Sequence, residues 1–315
     1  MADLRRRTFV CRTLVGAAAV AAVGTLGAAC SPGAEREGTA GGGTKGDAVK
    51  RHKYQYGEDA SQWGELFLPE LPAGGEHHGV VVVIHGGYWR SQYGAELGEP
   101  IARDLAAHGM AAWNLEYRRA GNGGGWPHTF ADVLAGIDKL GDLAADHALN
   151  LGPVVALGHS AGGHLAAWAA GRGRLAQLGM PDADRQVPRK SDASAVHLTG
   201  VVSQSGLLNL AEAEKLNLSN GAVSNLLGGS SSKYPHRYRY ADPMTALPLA
   251  VPVVAVHGSE DTTVPLGQSD SYVNAGTAAH METRLIRVPG DHYALIDPKT
   301  SGYRACRELV RSLLG

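Results

Sequence analysis

The sequence predicts an α/β fold: a mostly parallel central sheet with helices packed on both faces. Three observations predict it. Short apolar runs suited to strands alternate along the chain with stretches of helical periodicity. One of those runs, Val80-Val81-Val82-Val83-Ile84, contains no polar residue, as a strand covered on both faces requires. The segments carrying nucleophilic, acidic and basic side chains each follow directly on a strand, and the carboxyl ends of strands are where such sheets gather their sites.

The elements follow in order. Residues 63–69 read as an early strand ending at Pro69, and Glu76-His77-His78 as a solvated turn. After 80–84, a helix over 101–108 is stopped by Gly109, and 111–117 is a further strand. From Phe130, apolar residues recur at Val133, Leu134, Ile137 and Leu140, the spacing of an amphipathic helix lying on a sheet. Val154 to Leu157 form a strand that turns into a helix at Gly163. Residues 172–194 are polar and proline-bearing, a surface connection before a strand at 198–202. A small insertion or lid, 205–247, follows with weak periodicity, and its Tyr234, His236, Arg237, Tyr238, Arg239 and Tyr240 read as a solvated face. Strands at 251–256 and 284–288 and a helix at 303–314 close the chain, with Pro252 near a strand start where a missing donor is tolerated.

With 44% hydrophobic and 19% charged residues, 315 residues can bury a substantial core. A formal net charge of −1 gives no electrostatic reason to expect nucleic acid as a partner. Of three cysteines, Cys11 and Cys30 lie near the N-terminus, so no disulfide framework is available to the body of the protein. Cys306 shares a helical face with Tyr303, Val310 and Leu313 and is expected in the core.

Residues 1–30 read as an export signal: Arg5-Arg6-Arg7 is a basic head, and the alanine-rich run 14–26 is short for a transmembrane helix. Arg6-Arg7-Thr8-Phe9-Val10 resembles a twin-arginine signal. Leu26-Gly27-Ala28-Ala29-Cys30 resembles a lipoprotein cleavage box, which would make Cys30 the lipidated first residue, anchored on the outer face of the cytoplasmic membrane. An ordinary signal-peptidase cut near Ala28-Ala29, releasing a secreted protein, is the competing reading. Residues 31–50, rich in Gly, Ala and Thr, form a flexible linker to a catalytic domain at 51–315.

Chemistry centres on Gly158-His159-Ser160-Ala161-Gly162. A strand runs in and a helix runs out, so the small flanking residues let the backbone turn sharply and lift Ser160 Oγ clear of the sheet. The Ala161 N–H then sits at a helix N-terminus, where negative charge is favoured. A serine needs a base in reach and an acid to orient that base. Asp261, in His257-Gly258-Ser259-Glu260-Asp261-Thr262-Thr263-Val264-Pro265, is the candidate acid, preferred to Glu260; His292, after the last strand, is the candidate base. His159 and His164 flank the serine and are expected to pack rather than to act as bases. His85-Gly86-Gly87-Tyr88-Trp89 supplies glycine N–H groups, so Gly86, Gly87 and Ala161 are the candidate oxyanion donors. His85 is expected to brace this loop. Tyr88 and Trp89 are candidate aromatic walls for substrate, and no metal or organic cofactor is implied.

These motifs resemble the α/β-hydrolase fold, in its hormone-sensitive-lipase and carboxylesterase group. His-Gly-Gly-Tyr-Trp with Gly-His-Ser-Ala-Gly-Gly-His-Leu-Ala, along with Tyr56-Gly57 and Ser205-Gly206, is most similar to the kynurenine formamidase (arylformamidase) branch. The resemblance spans about residues 54–313 and implies a serine hydrolase for small carboxylic esters or activated amides, working through an acyl-enzyme. An export signal and Asn209, where relatives commonly carry aspartate, depart from that branch. A secreted peptidase of the prolyl-peptidase type and a non-catalytic binding protein on the same fold are the rival readings.

Overall fold

The computed structural model describes residues 49–178 and 195–315. The expected export signal, Cys30 and most of the linker lie outside the described residues.

Among these residues, eight strands form one sheet in the order β1-β2-β4-β3-β5-β6-β7-β8. They are β1 (Lys50–Gln55), β2 (Trp63–Leu68), β3 (Val80–Ile84), β4 (Ala111–Leu115), β5 (Val154–His159), β6 (Gly200–Gln204), β7 (Val253–Gly258) and β8 (Thr283–Val288). β1, β2 and β4 pair antiparallel, and every pairing from β4 to β8 is parallel. The all-apolar β3 lies near the middle of the sheet and is buried along its whole length, which is why it tolerates no polar residue.

Helices cover both faces. α1 (Glu99–Ala107) and the C-terminal α9 (Ser301–Leu314) share one core with Val81, Val83, Val155 and Val256. α2 (His128–Leu143) and α3 (Ala161–Ala170) pack on the opposite face, against Val82, Trp113, Val154 and Val201. Cys306 is buried in the first of these cores. Alternation along each strand sends successive side chains to opposite faces, so one valine run feeds two cores.

The structure departs from the expected elements in several places. β1 is unforeseen because Lys50-Arg51-His52-Lys53-Tyr54-Gln55 is an exposed edge strand with almost no apolar signal. The first part of the polar connection after α3 is helical, α4 (Arg172–Leu178); residues 179–194 lie outside the described set. The insertion is helical too, with α5 (Leu210–Lys215), α6 (Ala222–Leu227) and α7 (Pro235–Ala241), each too short to display periodicity. Tyr238 and Tyr240 are buried rather than solvated: the Tyr240 carbonyl accepts from Trp168 Nε1, and Tyr238 donates to Glu214. α8 (Gly267–Ala278), full of Gly, Ser, Asn and Thr, was likewise illegible. His77 is buried, not solvated, in a segment whose backbone pairs with Ala148 and Asn150. No helix among the described residues is long and apolar enough to cross a membrane.

Candidate active site

β5 ends at His159, and Ser160 takes φ 55° and ψ −118° before α3 begins at Ala161. A non-glycine residue rarely adopts this conformation, and it is held here because the chain reverses from strand to helix within one residue. Ser160 N–H donates to the Gln204 carbonyl on β6 (2.8 Å), tying the turn to the neighbouring strand. Gly162 is required by crowding: a Cβ there would overlap the Ile84 and His85 carbonyls at the end of β3.

His292 and Asp261 come together from the segments after β8 and β7. His292 Nδ1 lies 2.7 Å from Asp261 Oδ2, and both side chains are almost wholly out of solvent. The other carboxylate oxygen accepts the N–H groups of Thr263 (2.8 Å) and Val264 (2.9 Å), which fixes its plane. Burial alone would raise the Asp261 carboxyl, but the His292 hydrogen bond, the Val264 N–H and the neighbouring imidazole outweigh it. The group is held well below the usual carboxylate range, ionised beside the imidazole. Glu260 is exposed and plays no part in this pairing. Asp291 instead accepts from Tyr293 N–H and Ala294 N–H, shaping the turn that carries His292.

Two further histidines, His159 and His257, support this arrangement. His159 Nε2 donates to the His292 main-chain carbonyl (2.9 Å), with the rings 4.5 Å apart. Burial, then the nearby His292, lowers the His159 imidazole to about 3, so it is a neutral donor. His257 Nε2 donates to the Val264 carbonyl (2.9 Å) and its Nδ1 faces Ser269 Oγ (2.8 Å), clamping the loop that bears Asp261. The sequence signal for His257 was its place at the end of an apolar strand, where a polar residue demands a partner. His164 does pack: it is buried, donates to the Ala241 carbonyl (2.9 Å), and burial lowers it to about 4.

The loop after β3 passes beside the serine. A Cβ at Gly86 would lie 3.1 Å from Ser160 Cβ, and Gly87 has φ +102°, open to glycine alone. Ala161 heads α3, whose first-turn N–H groups have no partner within the helix. The three candidate oxyanion donors therefore lie on the two segments adjoining Ser160.

The aromatic walls need correction. Trp89 is 0% exposed: left-handed backbone at Tyr88 (φ 50°) and Trp89 (φ 55°) turns its ring inward, edge-on to His164 at 5.0 Å. It is core, not substrate surface. Tyr88 is half-buried, and its hydroxyl donates to the Thr263 carbonyl (2.8 Å), joining the glycine loop to the acid loop. Burial, then Asp261, pushes that phenol up to about 12. The aromatic side chain open to solvent beside His292 is Tyr293, 62% exposed, its ring 5.4 Å from the imidazole. Sequence reasoning missed it because nothing local marks an exposed tyrosine. Tyr93, against which a Gly87 side chain would press, is also exposed.

A parallel sheet flanked by helices, with a serine on a strained strand-to-helix turn and a paired histidine and aspartate at neighbouring strand ends, defines an α/β-hydrolase fold. The chain belongs to the BD-FAE family, whose model matches residues 65–275. Esterase LipC of Mycobacterium tuberculosis is 26% identical over 255 residues, which cover 77% of this chain; the chain spans only 59% of that relative. A truncated carbohydrate esterase from gut microbiota shares the fold with a TM-score of 0.68 at 20% identity, covering 85% of this chain and 98% of that one. A thermophilic esterase from the Planctomycetes species Thermogutta terrifontis gives a TM-score of 0.65 at 21% identity, over 84% of this chain and 91% of that one.

Proposed function

We propose that this protein is a serine carboxylesterase acting on small carboxylic esters or activated amides, with aryl formamides as the finer candidate class. The observation that carries the reading is the His292–Asp261 pair, 2.7 Å across, brought to the sheet end where Ser160 sits on its strained turn. His292 takes the proton from Ser160 Oγ as that oxygen attacks the carbonyl. Asp261 fixes the ring through Nδ1, leaving Nε2 to work, and stabilises the imidazolium. The N–H groups of Gly86, Gly87 and Ala161 receive the charge on the tetrahedral oxygen. His292 then returns the proton to the leaving group, and water releases the acyl group by the same steps in reverse.

The relationship to esterases supports the ester reading, and the exposed Tyr293 and Tyr93 support substrates with a flat apolar part at the mouth of the site. The resemblance of residues 6–10 and 26–30 to export and lipidation signals supports an exported protein tethered through Cys30. The test uses the full chain with N-formylkynurenine and short-chain p-nitrophenyl esters, and Ser160→Ala as control. Preference for the esters in kcat/KM makes it a general carboxylesterase; preference for N-formylkynurenine makes it a formamidase. Hydrolysis no faster than Ser160→Ala, with no labelling by a fluorophosphonate, sinks the proposal.

A further inference from the structure

Beneath the glycine loop lies a buried ionic cluster that the chemistry above does not use. Its hub is Glu116, just past β4. One carboxylate oxygen accepts from Ala95 N–H (2.9 Å). The other accepts from Tyr117 N–H (2.7 Å), from an Arg119 guanidinium nitrogen and faces His85 Nε2 at 3.1 Å. The His85 side chain is fully buried, its ring stacked on Tyr117 at 4.3 Å, and the Tyr117 hydroxyl donates to the His85 carbonyl (2.9 Å). On its far side, His85 Nδ1 lies 2.8 Å from the Gly86 carbonyl oxygen.

Both ring nitrogens of His85 thus face acceptors. A carbonyl oxygen never donates, and a carboxylate taking hydrogen bonds from a guanidinium and two backbone N–H groups has no proton to give. Burial would raise the Glu116 carboxyl, but the hydrogen bond from His85, the Arg119 charge and the Ala95 N–H outweigh it and hold it lowered. A singly protonated ring would leave one nitrogen lone pair pressed against an oxygen lone pair in a dry site, an arrangement more costly than an unmade hydrogen bond.

We propose that His85 is a fixed, buried imidazolium that positions the oxyanion loop. In a planar trans peptide the C=O and N–H point to opposite sides. By holding the Gly86 carbonyl, His85 fixes the direction of the Gly87 N–H. His85 and Arg119 both stand against the Glu116 carboxylate, with the Glu96 carboxylate close by, under a loop that passes beside Ser160. The Tyr117 phenol stacked on the ring is held protonated by burial and bonds the His85 carbonyl instead of the ring. The catalytic consequence rests on the proposed hydrolase reading; the protonation state does not.

The test is long-range ¹H–¹⁵N correlation of the histidine rings in the full, uniformly labelled chain at pH 7. One histidine, assigned by its loss in His85→Gln, is expected to show both nitrogens protonated. In Glu116→Gln one of those nitrogens is expected to become bare. A wild-type ring with one bare nitrogen at pH 7 overturns the proposal, and that measurement needs no variant to fold. Kinetically, His85→Gln is expected to lower kcat for a p-nitrophenyl ester by roughly ten- to hundred-fold with KM little changed, short of losing a whole oxyanion donor. Unchanged kcat in a His85→Gln protein of wild-type thermal stability overturns the positioning role. A doubly protonated ring in a protein that hydrolyses nothing upholds the imidazolium and defeats only the proposed function.

Discussion

His159 Nε2 donates to the main-chain carbonyl of His292, so the residue preceding the proposed nucleophile holds the loop that carries the proposed base. His159→Phe fills the space but leaves that buried carbonyl unpaired, a loss of about 1–3 kcal/mol. We expect kcat to fall about tenfold or more with KM nearly constant, because the base is misplaced while the binding surface is untouched. Steady-state kinetics beside a thermal melt checks this. A raised KM at unchanged kcat would contradict it.

Gly162→Ala tests the crowding at the turn. The new Cβ meets main-chain carbonyls of Ile84 and His85, which cannot swing aside as a flexible side chain would. We expect destabilisation of about 1–3 kcal/mol, the range for overpacking, read as a drop in the urea midpoint. A variant as stable as wild type would mean that α3 can shift away from β3.

Tyr88→Phe removes the hydroxyl that joins the glycine loop to the Thr263 carbonyl. The expected stability loss is about 1 kcal/mol. Labelling of Ser160 by a fluorophosphonate is expected to slow several-fold, because the proposed oxyanion and acid loops are no longer braced together.

Trp89 and Tyr293 should respond in opposite ways. Trp89→Ala empties a fully buried site and is expected to cost about 3–5 kcal/mol of stability, seen in thermal and urea unfolding. Tyr293→Ala removes an exposed ring and is expected to leave the melting temperature within a degree or two, while raising KM for aryl esters more than for acetate esters of small alcohols. Equal KM changes for both ester types would remove Tyr293 from the substrate surface.

Acid should weaken the fold before the carboxylates titrate. Burial lowers His159 to about 3 and His164 to about 4 from an ordinary 6.5. Between those limits the unfolded chain binds protons that the folded one refuses, so stability falls as pH drops below 6.5. Asp261 adds a loss of the same sign only at lower pH: its depressed folded value contributes stability above the normal carboxylate range, lost on further acidification. Melting temperatures followed from neutral pH downward are expected to decline, and His164→Gln to flatten the upper part of that decline.

Local patterns along the chain specify the layered α/β architecture, the turn at Ser160, and the pairing of Asp261 with His292. Each of these is local information: an apolar run of strand length, a small residue on either side of a serine, an acid or a histidine directly after a strand. Parallel topology then brings strand ends together, so order along the chain is enough to assemble them. Tertiary structure alone decided what has no local signature. The rings of Trp89 and Tyr293 differ in role because one is turned inward by left-handed backbone and the other lies beside His292 at the surface. His77, Tyr238 and Tyr240 looked polar enough for solvent, yet all three are buried: Tyr238 and the Tyr240 carbonyl find partners across the fold, and the His77 segment is drawn in by backbone pairing. The edge strand β1 and the short helices of the insertion exist because neighbours bury them, against weak patterns of their own. The Glu116–His85–Gly86 chain is the clearest case, since 31 residues separate its carboxylate from its imidazole. No spacing in the sequence announces that both ring nitrogens will meet an acceptor; that follows only when β3 and β4 lie side by side and lead both residues out at the same end of the sheet.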